Sequence, residues 1–598
     1  MSRGSNGRFW GPTHQRMDPP FERRRPRLTV LRVLVGVPLL LFVAEFVRIS
    51  LGFSGNAAGL PAWILGAALV LGAAWLSLTL VMGVVARPPH PRRRRPPPLR
   101  APLGRPRLES SLPGASVSGR VKGVSPAARV REASARLSAG AYLGVDEYGG
   151  WVTADPESAV LILGPPRSGK TSAVMIPALM ASYGPALSTS TKPDVMHATL
   201  AARSEIGQAW LFDPSATETG NLPDGVRRLC WSPVVAAASW DQALITARAM
   251  TAATNPGAGT TNETHWTERA GALLAPLLYA AYQTGQPIAQ VLAWTLRQDL
   301  EPAQAILADG DTPIAADVLA GIQATDQRER SSIFSATAGV LAAYNSNAAR
   351  DTAANPNFDP HQFTASTDTI YITAPEHQQA LTAPLIVGLL EQIRHATYHH
   401  HRSHPHPTGP PMLWALDELA NTAPIHDLPA LISQAGGQHL QVIAGLQDLA
   451  QARARWGEHQ ADALLSLFQT KLILTGITDP RTLEAISLAL GEYDRDTTTH
   501  TLGDSQPHQW FPTHTHSDTV SYNTQRQRVL TPGDIAQQPP GHALHLQATN
   551  WNTIQLTPWH QTQPWKQIAT TDAPTTASAG VGSVRSSFCV GTESKEDA

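Results

Sequence analysis

The stretch Ser158–Leu179 reads SAVLILGPPRSGKTSAVMIPAL. Ala159–Leu163 is a short apolar run of the kind that forms a buried parallel strand. Gly164–Thr171, GPPRSGKT, fits G-x-x-x-x-G-K-[ST], and an apolar helical segment follows it. Strand, glycine-containing turn and helix in that order build an anion cradle, because the turn's backbone N–H groups and the helix N-terminus converge on one point. Gly164 and Gly169 permit the backbone turns, with Pro165, Pro166, Arg167, Ser168 and Ser172 completing the loop. Lys170 is placed to reach the β- and γ-phosphates of ATP, and the Thr171 hydroxyl to ligate Mg²⁺.

A phosphate loop needs a carboxylate for the metal and a second group to activate water. Met412–Leu416 is an apolar run that ends in Asp417 and Glu418. On a parallel strand beside the phosphate-loop strand, Asp417 would hold Mg²⁺ through its water shell and Glu418 would act as general base. Further apolar runs end in chemistry-bearing or turn residues. Trp210–Phe212 precedes Asp213-Pro214, Thr369–Thr373 precedes Ala374-Pro375, Leu440–Leu446 ends at Gln447, and Lys471–Thr475 ends at Gly476. Gln447, at a strand's carboxyl end, is placed to sense the γ-phosphate or to position water. Strands alternating with helical segments predict an α/β fold with a doubly wound parallel sheet, divided between residues 141–235 and 354–570.

Residues 236–353 are alanine-rich and helical in pattern, which predicts an all-α domain inserted into the sheet. The run from Tyr398, YHHHRSHPHP, invites a metal, but its prolines favour a solvated loop, and His514 and His516 read the same way. Residues 571–598 have the composition of a disordered tail. Cys230 and Cys589, 359 positions apart, form neither a disulfide framework nor a metal spacing and read as two unpaired thiols in a reducing compartment.

The formal charge of the 598 residues is −1, which excludes a basic nucleic-acid coat and an acidic tail protein, but the average hides an asymmetry. Residues 1–27 carry seven arginines, and residues 87–107 carry eight more with no acid. Between them lie two apolar stretches, Leu28–Leu51 and Leu60–Ala86. A bilayer core of about 30 Å takes roughly 20 helical residues, so residues 28–86 read as a two-helix transmembrane hairpin. Arg32 and Arg48 would snorkel to the interfaces. Arginine blocks on both outer flanks put both termini in the cytoplasm. Residues 87–140 then form a Pro/Arg-rich linker beneath the membrane.

Together these segments resemble the type IV coupling protein family of bacterial conjugation, of the TraG/TraD type. The resemblance rests on the two apolar N-terminal stretches, on GPPRSGKTSAVMIPAL, and on Ser190-Thr191-Lys192-Pro193-Asp194 followed by Phe212-Asp213-Pro214. It rests also on LWALDELANTAPIHDLPALISQAGGQHLQVIAGLQDLAQ at Leu413–Gln451, LTGITDPRTLEAISLALGEYD ending at Asp494, and RVLTPGDIAQQPPGHALHLQ at Arg528–Gln547. It covers most of residues 28–560. It implies a RecA-like homo-hexamer at the bacterial inner membrane with ATP between subunits. Its partners would be a relaxase or relaxosome recruited through the helical domain, sequence-independent single-stranded DNA, and a type IV secretion channel. Where many members have an Arg-Gly pair before the strand ending in Gln447, this chain has Ala435-Gly436-Gly437-Gln438-His439. Arg481 and Arg330 are the candidates for an arginine acting on a neighbour's ATP.

Two other readings stand beside this one. An FtsK-type translocase or a type VII secretion ATPase would bring more membrane spans, a winged-helix tail or tandem ATPase modules, and the chain has one phosphate loop. A nucleotide-gated substrate receptor without pumping activity would not need the intact Lys170, Thr171, Asp417 and Glu418 set.

Overall fold

The computed structural model describes residues 111–112, 125–138, 140–218, 222–254, 263–404, 409–505 and 515–569. The expected basic N-terminus, transmembrane hairpin and C-terminal tail lie outside the described residues, as does most of the linker. Among the described residues no helix is long and apolar enough to cross a membrane.

In chain order the strands are β1 (Ser111–Leu112), β2 (Ala141–Val145), β3 (Trp151–Ala154), β4 (Val160–Leu163), β5 (Ala186–Ser190), β6 (Ala209–Phe212), β7 (Val226–Arg228) and β8 (Thr369–Thr373). They continue with β9 (Met412–Leu416), β10 (Leu440–Leu446), β11 (Thr470–Leu474), β12 (Glu492–Ser505), β13 (Thr515–Arg528), β14 (His542–Gln547) and β15 (Asn550–Gln555). Thirteen of them form one sheet in the order β1-β3-β2-β15-β14-β11-β4-β10-β9-β5-β8-β6-β7. From β11 to β7 every pairing is parallel. From β11 outward through β14, β15, β2, β3 and β1 every pairing is antiparallel.

The parallel strands are apolar on both faces because helices cover both. Along β4 the side chains alternate: Val160 and Ile162 enter one apolar cluster and Leu161 and Leu163 the other. The same alternation splits Leu413 and Ala415 from Trp414 and Leu416 on β9. All of these are at most 3 % exposed. Each large aliphatic side chain so buried contributes roughly 1.5–3 kcal/mol over leaving it in water. One face packs the helices Ile176–Ala181, Asp194–Arg203 and Trp565–Ala569, through residues such as Leu179, Val195 and Ile568. The other packs the segment between β7 and β8, whose described residues hold helices and no strand, among them Trp240–Thr254, Glu263–Gln283 and Gln327–Val340.

Three features depart from the sequence reading. The strand β9 is not beside β4, because β10 lies between them. The His-rich run is not a loop up to Ser403. It is the end of the 25-residue helix Gln379–Ser403, where the His400 ring stacks at 4.6 Å on that of His404, the residue that caps the helix. Among the described residues no group of three potential ligands is arranged to hold a metal. Strands β12 and β13, 14 residues each, pair over their whole length as a separate two-stranded ribbon, and His516 lies on β13. Cys230 is buried, and Cys589 lies outside the described residues.

Candidate nucleotide site

The carboxyl ends of β4, β5, β9 and β10 lie side by side, which is where parallel α/β sheets place their ligands. The chain leaves β4 through Gly164, whose N–H donates to Leu446 O on β10 at 3.1 Å. It turns at Arg167, φ 64°, and Gly169, φ 101°, and enters a wide first helical turn, Lys170–Met175, where Ile176 N–H reaches Thr171 O. Left-handed backbone at Arg167 costs energy that a loop without a binding task would shed.

Lys170 is 5 % exposed. Its Nζ donates to Gly164 O at 2.5 Å and Pro165 O at 3.3 Å. Burial lowers its pKa, and the nearby Asp417 and Glu418 charges oppose that shift. The Thr171 hydroxyl donates to Asp417 Oδ2 at 2.5 Å. Asp417 is itself buried, and burial raises its pKa against the Thr171 hydrogen bond and the Lys170 charge. From the next strand, the Thr189 hydroxyl donates to Asp417 O at 3.1 Å.

Asp417 reaches Thr171 across β10 because the crossing point is a glycine. A Cβ built on Gly445 would stand 2.8 Å from Met175 Cε and 3.1 Å from Asp417 Oδ1. Glu418 adopts φ 52°, a left-handed conformation in a non-glycine residue, and its N–H donates to Asp417 Oδ1 at 3.1 Å. Gln447 Nε2 donates to Glu418 Oε2 at 3.3 Å. The structure therefore brings Lys170, Thr171, Asp417, Glu418 and Gln447 into one connected set around the loop Gly164–Ser172.

This set fits a nucleotide with Mg²⁺. Thr171 and Asp417 offer the hard oxygen donors that Mg²⁺ takes. The Ser168 hydroxyl is buried without a hydrogen-bond partner inside the loop, and Lys170 supplies a buried cation to the same place.

The two arginine candidates stand apart from it. Arg481 pairs with Glu458 at 2.9 Å, both largely exposed, and Arg330 donates to Gln323 O at 2.6 Å. Gly436, in the segment that replaces the Arg-Gly pair, lies against the backbone of Glu157, where a Cβ would meet the carbonyl oxygen at 2.0 Å. Sequence reading missed Gly445, Thr189 and Gln451, whose Oε1 accepts from Gln447 N–H at 3.0 Å. Only the spacing of Gln451 after the strand end, at the third position of a new helix, hinted at a role.

Residues 411–540 match the family described as the TraM recognition site of TraD and TraG. The match lies on β9 to β13 and the helix Pro532–Ala536, not on the helical segment between β7 and β8. No curated protein matches the chain by sequence. Among solved structures, the bacterial conjugative coupling protein TrwBdeltaN70, in an unbound form, is similar at 18 % identity and a TM-score of 0.51. That likeness covers 69 % of this chain and 88 % of the other. The plasmid coupling protein TrwB in complex with ADP and Mg²⁺ is similar at 17 % identity and a TM-score of 0.51, over 69 % and 89 % of the two chains. At these identities the likeness is one of fold. The chain thus shares a matched segment over β9 to β13 with TraD and TraG, and a fold with the coupling protein TrwB.

Proposed function

We propose that this chain is a membrane-anchored ATPase that couples a relaxase–DNA complex to a type IV secretion channel and drives conjugative DNA transfer. The observation that carries the proposal is the connected set Lys170, Thr171, Asp417, Glu418 and Gln447, three of the five within the segment that matches the family of TraD and TraG.

Bound Mg²⁺–ATP supplies the phosphoryl group whose hydrolysis releases the free energy. Backbone N–H groups of the loop from Arg167 onward and Lys170 Nζ would hold the phosphates, so Lys170 would leave its resting contacts with Gly164 O and Pro165 O. Thr171 Oγ1 and Asp417 would hold Mg²⁺. Glu418 takes the proton of the attacking water, and Gln447, hydrogen-bonded to Glu418, fixes the geometry of that carboxylate.

The assembly follows the same reading. Residues 28–86 form the transmembrane hairpin in the bacterial inner membrane, with both termini cytoplasmic. Six copies form a ring, each site lying against a neighbour that contributes an arginine, Arg481 or Arg330. Single-stranded DNA is gripped through its phosphates without regard to sequence, which needs only a few contacts per subunit once a ring multiplies them. The relaxosome docks on the segment 411–540, in keeping with the description of the matching family. An intact hydrolytic set favours this motor over a receptor that only opens and closes on nucleotide.

The test is transfer itself. Replacing the gene in its host by Glu418→Gln should stop DNA transfer while the protein still reaches the membrane. Unchanged transfer frequency would refute the proposal.

A further inference from the structure

Gln447 is the last link between β10 and Glu418, and its position is set by a residue outside the site. Its backbone N–H donates to Gln451 Oε1 at 3.0 Å. Gln451 is the third residue of the helix Leu449–Trp456, whose first turn is capped by Asp448, with Gln451 N–H on Asp448 Oδ1 at 2.9 Å. In an ordinary capping box the side chain at that position returns to the N–H of the capping residue. Here it passes the cap and holds the N–H of the residue before it, the one whose carboxamide meets Glu418.

The helix that carries Gln451 is braced along its length. Leu449 N–H donates to Thr482 Oγ1 at 3.0 Å, and Arg453 reaches Asp479 at 3.3 Å. Asp479 in turn caps the helix Pro480–Leu490 that bears Arg481. At the far end Arg455 donates to Ala253 O at 2.5 Å, on the helical segment, and the Trp456 indole donates to Ile425 O at 2.7 Å.

We infer that Gln451 is a positioning residue for hydrolysis: its side-chain oxygen sets the backbone of Gln447, and through it the Gln447–Glu418 contact. The inference rests on the proposed hydrolytic role of Glu418. What the contact requires of residue 451 is an acceptor of this length, and nothing more. Glutamate meets that requirement and methionine, of similar volume, does not.

The test uses the full chain, with ATP turnover measured at pH 8 for wild type, Gln451→Met and Gln451→Glu, alongside thermal unfolding. Gln451→Met should lower kcat at least tenfold, with KM for ATP within twofold and Tm close to wild type, and Gln451→Glu should restore kcat to within about threefold. Wild-type turnover in Gln451→Met overturns the inference. So does loss in both variants with KM raised or Tm lowered, which marks a helix cap and no more. A wild-type chain that does not hydrolyse ATP refutes the reading of Glu418 itself, and the inference falls with it.

Discussion

The Thr171 hydroxyl and the Asp417 carboxylate meet at 2.5 Å although their strands are not neighbours, since β10 runs between them. The contact exists because β10 presents Gly445 at the crossing, so no side chain fills the path from β9 to the phosphate loop. The Thr171–Asp417 pair is thus a property of three strands, and Gly445 is as necessary to it as either residue.

Gly445→Ala follows directly. The added methyl would stand 3.1 Å from Asp417 Oδ1 and 2.8 Å from the flexible end of Met175. Met175 can swing aside, but Asp417 is held by Thr171 and cannot move without leaving it. A misplacement on the order of an ångström at such a site costs up to about 10²-fold. The Mg²⁺ concentration for half-maximal turnover should rise about tenfold, with the fold intact by circular dichroism. An unchanged Mg²⁺ requirement would mean that Asp417 does not orient the metal.

Arg203 is fully buried, and its guanidinium donates to Thr369 Oγ1 at 2.6 Å, Gly184 O at 2.8 Å and Thr367 O at 3.0 Å, and also to Ser182 O. Burial lowers its pKa to about 10, so it stays charged at neutral pH. Arg203→Met would strand several interior acceptors, each costing about 1–3 kcal/mol. Urea unfolding should show a loss of at least about 3 kcal/mol. A loss within experimental error would mean that water takes the guanidinium's place.

His545, on β14, is fully buried, with Nδ1 3.0 Å from Asn552 Oδ1, and burial pushes its pKa down to about 4. A depressed pKa means that the unfolded chain takes the proton first. The stabilising contribution is therefore complete above about pH 6.5 and is lost as pH falls towards 4, at about 1.4 kcal/mol per pH unit. His545→Leu should flatten the stability profile over that window. A variant that loses stability between pH 6.5 and 4 as steeply as wild type would assign the acid sensitivity elsewhere.

Lys170 and Glu418 should separate binding from turnover. Lys170→Ala removes the buried cation and should weaken ATP binding as well as hydrolysis. Glu418→Gln keeps size and hydrogen bonding, so nucleotide should bind as in wild type while turnover falls by about 10²–10⁴-fold, the worth of a general base. Equilibrium binding of a fluorescent ATP analogue beside steady-state turnover checks both.

Much of the sheet was legible because parallel strands buried on both faces usually read as near-continuous apolar runs. Thr369–Thr373, Met412–Leu416 and Leu440–Leu446 are strands at the residues where the apolar runs stood. The strand Ala186–Ser190 escaped notice because its sequence ALSTS is mostly polar, yet every residue is buried. The Thr189 hydroxyl is satisfied by Asp417 O, a partner 228 positions away that no local pattern announces. The ribbon β12–β13 was hidden for the opposite reason: its run of Thr, Asp and His lacks an apolar face to mark a period. The interposition of β10 between β4 and β9 is a matter of topology, and periodicity carries no information about strand order. The phosphate-loop residues were readable because their spacing is dictated by one short turn, whereas Gly445 and Gln451 matter only through what folding brings to them.

The most direct measurement is ATP turnover by the full chain with and without single-stranded DNA, alongside Lys170→Ala and Glu418→Gln. The account predicts turnover that rises with DNA and is lost in both variants. Turnover that stays at the level of the variants with every DNA tested, while ATP still binds, would contradict it and leave a nucleotide-gated receptor in place of a motor.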